Sequence, residues 1–252
     1  TPIVVKKSGS KPKFKSVKAD DGPTKAFPDQ NAVYRSVLRR NFVIIESEAD
    51  ADAVYKSGFF GKGSLRRSGP GQTSRNEIFY LLLVEAFYLL SVEGYRCLTI
   101  FDEESKRFLD EESCWDRFSN ISPRFPAEYA GYYKLRLNGW VPKSGIKFGV
   151  DFVIYVQGPA YYHARYSVII VEREDREDPY NQRGDSWVNL YTLMRMTHNV
   201  SKDIMIIYLT GDFRQFQSDK VRSLKCHLVS CRIATRWTPE TSRESAIETG
   251  SE

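Results

Sequence analysis

Apolar and polar positions change rhythm along this chain, and each change marks an element. Asn41–Glu46 (NFVIIE) is a short apolar run between polar residues, the pattern of a strand. The following ADADAVYKSGFF has the look of a helix and then meets Gly58, Gly61 and Gly63, which predict a loop running to Leu65-Arg66-Arg67. Ser74 with Glu77 three residues later has the form of a capping box, and NEIFYLLLVEAFYLLSVEG behind it is apolar on nearly every side. That predicts one buried helix closed by Gly94. A second helix is predicted over 111–120, and Pro123 and Pro126 mark the next break.

The second half has a sharper rhythm. AEYAGYYKLRLNGW predicts a helix ending near Gly139, and residues 148–156 and 162–172 predict two strands. Residues 187–197 carry Leu190, Leu193 and Met194 at helical spacing, before strands predicted over 204–209 and 224–234. Strands alternating with helices imply an α/β protein of the mixed, α+β kind. We expect a basic tail over 1–30, an N-terminal α/β domain over 31–125, a second domain with a mixed β-sheet flanked by helices over 126–238, and a tail over 239–252. The charged EREDREDPYNQRGDS reads as a solvent loop.

Composition supports folding: 252 residues suit two domains, and 41% hydrophobic with 13% aromatic residues is a globular balance. The net charge of +5 suits an anionic partner without specifying one. Six lysines, Lys6, Lys7, Lys11, Lys13, Lys15 and Lys18, lie in the first segment, where a solvated tail and a backbone-tracking arm are both open readings. Cys97, Cys114, Cys226 and Cys231 lack metal-site spacing and read as reduced thiols. The apolar run around Glu85 is shorter than the roughly 20 residues a membrane span needs. With no signal-type start this favours a cytosolic or nuclear protein, and an opening Thr1 leaves a missing start open.

Several chemistries can be set aside. GFFGKGS lacks the phosphate-loop spacing, since Gly63 stands where Ser or Thr should follow Lys62. Three histidines, His163, His198 and His227, show no metal-site spacing. Asp151 and Glu172 could suggest the carboxylates of a metal-dependent nuclease, but Glu174 occupies the place of the expected lysine.

The specific signal lies in GW at Gly139-Trp140, in K-F-G-x-D-F from Lys147, in Y-x-x-G-P-x-x-x-H-A from Tyr155, and in N-V-S-K-D from Asn199 to Asp203. These runs, in this order, resemble the catalytic core of the tRNA-splicing endonucleases. The resemblance reaches back through the apolar run and the GFFGKGSLRR loop. It implies Tyr155 as general base, His163 as general acid and Lys202 as electrostatic stabiliser for attack of an RNA 2′-OH, with no metal or cofactor. An ordinary phenol near pKa about 10 is a poor base, so Tyr155 either needs a cation such as Lys202 to favour its ionised form or serves to orient the hydroxyl. The products implied are a 2′,3′-cyclic phosphate and a 5′-OH end.

The resemblance also assigns Arg195 and Trp237 to a cation–π sandwich around an unpaired splice-site base, supplied in trans to a partner's site. Packing of Trp237 on a sheet end and pairing of Arg195 with loop carboxylates are the structural alternatives. The VPKSGIKFG run and the Gly158-Pro159 turn look closest to the subunit that cuts the 5′ splice site. The implied partners are intron-containing pre-tRNA, a second catalytic subunit for the 3′ site and two structural subunits of a heterotetramer, in the nucleus or, as the alternative, in the cytoplasm or on an organelle surface, and without integral membrane association. Arg165 departs from the acid usual in archaeal relatives, and the segment after GFFGKGSLRR is short where vertebrate homologues carry an insertion. A non-catalytic scaffold or RNA-binding subunit of the same complex is the alternative function.

Overall fold

A computed structural model describes residues 32–64, 77–92, 96–172, 186–198, 202–210 and 230–234. The expected tails, Ser74, Gly94, Cys226, His227, Trp237, the Asn199–Ser201 run and most of the charged connection lie outside them.

The first sheet is built from short strands. β1 (Tyr34–Arg39) and β2 (Phe42–Ile45) make an antiparallel hairpin, with Arg40 left-handed (φ 56°) as tight turns require. Ser47 then caps α1 (Glu48–Gly58) by accepting the Asp50 amide, and Glu48 and Asp50 suit the positive end of the helix dipole. β3 (Lys62–Gly63) and β4 (Phe79–Leu81) extend the sheet beyond β2. Past α2 (Leu83–Ser91), β5 (Leu98–Asp102) runs parallel to β1 and β6 (Arg107–Leu109) closes the far edge. The order is β3-β4-β2-β1-β5-β6.

One expectation is corrected here. The run from Asn76 to Gly94 is not a single helix: Phe79–Leu81 is strand, Leu82 is extended (φ −64°, ψ 151°), and the helix starts at Leu83. Glu85 is the capping acid, its Oε2 accepting the Leu82 amide at 3.0 Å. Strand and helix are both buried, so no polar residue marks the change of period.

Two helices join the halves. Asp110 caps α3 (Glu111–Ile121) by accepting the Ser113 amide at 2.8 Å. α4 (Phe125–Leu137) carries Pro126 in its first turn, where no amide is needed, so the expected break is a helix start. Nine of its residues are buried, because it lies between α2 and α3 on one side and the second sheet on the other. Gly131 permits that approach: a Cβ there would lie 2.4 Å from Ile170 Cδ1. Phe87, Trp115, Phe125 and Tyr129 interlock edge to face in this layer.

The second sheet has the order β11-β10-β9-β8-β7, from β7 (Val141–Ser144), β8 (Phe152–Tyr155), β9 (Tyr166–Glu172), β10 (Asp203–Leu209) and β11 (Ser230–Ala234). β9 and β10 are parallel and their neighbours antiparallel. The strand expected over 148–156 is shorter, since Ile146–Phe148 forms a 3-10 turn, and the next strand begins at Tyr166. α5 (Trp187–His198) covers one face and α4 the other. Phe152, Ile154, Val168 and Ile170 join the core around α4, while Val153, Ile169 and Val171 pack with Leu190 and Leu193 of α5. This is the two-residue strand period with both faces covered. The result is an α+β protein, as expected, with a mixed sheet in each half. Cys97, Cys114 and Cys231 are free thiols, and no helix among the described residues is long and apolar enough to cross a membrane.

Candidate active site

Strand register draws distant residues to one sheet edge. Ile154 of β8 pairs with Tyr166 of β9, and Tyr166 pairs with Asp203 of β10. At this row the pairing of β8 with β9 stops, and β9 and β10 begin. Tyr155 is therefore one residue beyond it, Lys202 one residue before it, and His163 three residues before it on the connection into β9. The Arg165 amide donates to Ile154 O at 2.8 Å and pins that connection.

Each of the three has a distinct setting. Tyr155 is half-buried and packs with the α5-side cluster. Lys202 is also half-buried; its amide donates to Thr197 O at 3.1 Å at the end of α5, and its Nζ lies 4.7 Å from the centroid of the Phe148 ring. His163 is exposed, beside buried Ala164. Phe148 belongs to the K-F-G run, whose pattern flagged the segment without indicating that its ring supports the lysine.

The turn between Tyr155 and His163 closes on Gly158, whose carbonyl accepts the amides of Tyr161 and Tyr162 at 3.3 and 3.2 Å. Gly158 has φ 116°, and a Cβ there would lie 2.4 Å from Cε2 of Phe59. Phe59, at the end of α1, also meets the Tyr161 ring edge-on at 6.0 Å and the Tyr55 ring at 5.3 Å. Sequence reading missed these N-terminal residues, because no local pattern signals a contact made a hundred positions away.

Burial governs the electrostatics. It pushes the Tyr155 phenol above its ordinary value and the Lys202 ammonium below its own. Tyr55 is pushed up to about 12, first by burial and then by the neighbouring Tyr155 and Tyr161 phenols. The shift expected if Lys202 favoured an ionised Tyr155 is thus absent: the phenol moves the other way. The edge offers an exposed imidazole, a protonated hydroxyl and a cation softened by burial, a set suited to proton transfer and charge stabilisation.

Of the carboxylates in the alternative reading, Asp151 is engaged with its own neighbours and Glu174 lies outside the described residues. Asp151 lies at the other end of β8 from Tyr155, its Oδ2 accepts the Ile170 amide at 2.7 Å, and its Oδ1 faces Arg124 at 3.5 Å. Among the described residues no cluster of three or more His, Cys, Asp or Glu could hold a metal. Arg195 is exposed on α5, while Trp237 and His227 lie outside the described residues and His198 ends α5.

With this geometry established, similarity to known proteins becomes informative. The family models for the N-terminal domain and the catalytic C-terminal domain of tRNA intron endonuclease match residues 34–113 and 125–217. The chain belongs to the tRNA intron endonuclease family. It is 41% identical over 136 residues to the tRNA-splicing endonuclease subunit Sen2 of Mus musculus, covering 53% of this chain and 30% of that protein. Against the Gallus gallus Sen2 it is 37% identical over 131 residues, 51% of this chain and 28% of the relative. The tRNA-splicing endonuclease of Saccharolobus islandicus is 28% identical over 174 residues, 68% of this chain and 88% of the relative. The chain thus spans under a third of the length of the two vertebrate relatives.

Proposed function

We propose that this chain is a catalytic subunit of a tRNA-splicing endonuclease and cuts intron-containing pre-tRNA at the 5′ splice site. The observation that carries the reading is the Ile154, Tyr166 and Asp203 row, around which Tyr155, His163 and Lys202 gather. RNA supplies its own nucleophile, so the 2′-OH attacks the adjacent phosphorus while the bond to the 5′-oxygen breaks. His163 protonates that departing oxygen, and Lys202 offsets the charge accumulating on the phosphorane-like transition state. Tyr155 orients the 2′-OH and, in its ionised form, takes its proton; burial raises the phenol's pKa and so works against that second role. A 2′,3′-cyclic phosphate and a 5′-OH end result, and DNA is inert because it lacks the nucleophile.

Arg195 and Trp237 serve a partner's site by gripping an unpaired base. The partners are a second catalytic subunit, which cuts the 3′ site, and two structural subunits, with the complex in the nucleus. The test is cleavage of intron-containing pre-tRNA by the reconstituted complex in excess EDTA, wild type against His163→Ala. Loss of 5′-site cutting alone in the variant supports the proposal. Inhibition of the wild type by the chelator argues for a metal site, and undiminished cutting by His163→Ala argues for a scaffold subunit.

A further inference from the structure

The chain segment just after α1 is gripped more tightly than a loop needs for its own sake. Arg136 Nη1 donates to Gly58 O at 2.9 Å, and its guanidinium stacks 4.1 Å from the Phe60 ring centroid. Lys143 Nζ donates to the carbonyls of both Phe59 and Gly61 at 2.7 Å and to Glu85 Oε1 at 2.9 Å. The other Glu85 oxygen accepts the Gly61 amide at 3.1 Å. Residues 58–61 are thereby fixed by α4, β7 and α2 together, and Lys143 commits its charge to them from a partly buried position.

What this clamp holds is a strained backbone. Phe59 is left-handed, with φ 58° and ψ 32°, a conformation uncommon outside glycine and a genuine outlier for a bulky side chain. Such strain persists only where the surroundings over-determine it, and it concentrates at functional sites. The ring so presented is buried. It fills the space that a Cβ of Gly158 would need, and Tyr161 abuts its edge.

We infer that Phe59, held by the Lys143–Glu85 clamp, is a positioning residue for cleavage: its ring sets the Gly158 turn and thereby the placement of His163 relative to Tyr155 and Lys202. The inference rests on the proposed cleavage function. Because Phe59 acts through the Gly158 turn, its removal should slow the chemical step and leave substrate binding intact.

The experiment uses the reconstituted endonuclease with pre-tRNA, carrying Phe59→Gly, Phe59→Leu or His163→Ala. Phe59→Gly removes the ring while easing the left-handed backbone, which separates loss of positioning from loss of fold. We expect kcat to fall at least about tenfold with KM changed less than about twofold, the signature of an interaction that matters only in the transition state. Phe59→Leu, which restores apolar bulk, recovers most of the rate. Amide exchange of Tyr161 and Tyr162 accelerates in Phe59→Gly while that of β9 is unchanged. Wild-type kcat in Phe59→Gly, or equal loosening of turn and β9, overturns the inference while a dead His163→Ala leaves the cleavage reading standing. Full activity in His163→Ala overturns both.

Discussion

The two sheets share a plan and differ in what they are asked to hold. Each has one parallel pair, β1 with β5 and β9 with β10, flanked by antiparallel strands. In the first sheet the burial of β1 alternates residue by residue, and the rings of Phe42 and Phe108 stand exposed on the outer face. In the second, β9 is buried from Tyr166 to Val171, because α4 and α5 cover both faces. Chain entry to the parallel pair also differs. Val33 and Cys97 precede it in the first sheet, Arg165 and Lys202 in the second. Similar strand geometry thus yields a structural edge in one place and an ionisable edge in the other. What distinguishes them is the chemistry of the flanking residues and the stiffness of a doubly covered sheet.

The sharpest way to break this comparison is at the edge itself. His163→Ala should cost about 10²–10⁴-fold in single-turnover cleavage, the range for loss of a general acid, with the melting temperature unmoved because the side chain is exposed. Val33→Ala, beside the corresponding row of the first sheet, should leave cleavage unchanged. Next comes the joint between the halves: Lys143→Met strands the buried Glu85 charge and should destabilise the chain by about 3–5 kcal/mol in urea titration. Pairing it with Glu85→Gln, which removes the stranded charge and keeps an acceptor for the Leu82 and Gly61 amides, should recover part of that loss.

Smaller effects sharpen the difference in cover. Ile170→Ala, facing α4 in the second sheet, should cost about 2–5 kcal/mol. Lys202 supplies a pH test: burial lowers its pKa, the charged form exists below that value, and so cleavage should decline at lower alkaline pH than an ordinary lysine would dictate. Lys202→Arg stays charged and should delay that decline, as a pH–rate profile would read directly. Phe108→Ala, 65% exposed on the open face of the first sheet, should change stability by no more than about 0.5 kcal/mol.

The same contrast decides what was legible in the sequence. β9 and β10 announce themselves as apolar runs and the motifs around Tyr155 and Lys202 are local, so the centre of the second sheet is readable, whereas β7 is not, because Val141–Ser144 (VPKS) carries no apolar alternation. The first sheet is built from strands as short as Lys62–Gly63, which carry too few positions for a period to show. β4 is hidden inside an apolar run whose change from strand to helix depends on one extended residue, Leu82, and a glutamate acting on its amide. The roles of Phe59 and Lys143 are long-range: VPKSG gives no hint that its lysine crosses to two carbonyls at the end of α1.

The parallel pairing of β9 with β10 has a consequence for how the molecule comes into being. The first sheet is complete in sequence by Leu109, whereas β9 ends at Glu172 and cannot meet β10 until Asp203 has been made and the intervening chain has looped back. Contacts of that separation form late, since loop closure must precede any gain from pairing. A nascent chain emerging from the ribosome therefore has the first sheet before it has Lys202, and the row that carries the candidate residues forms only after β10 has been made.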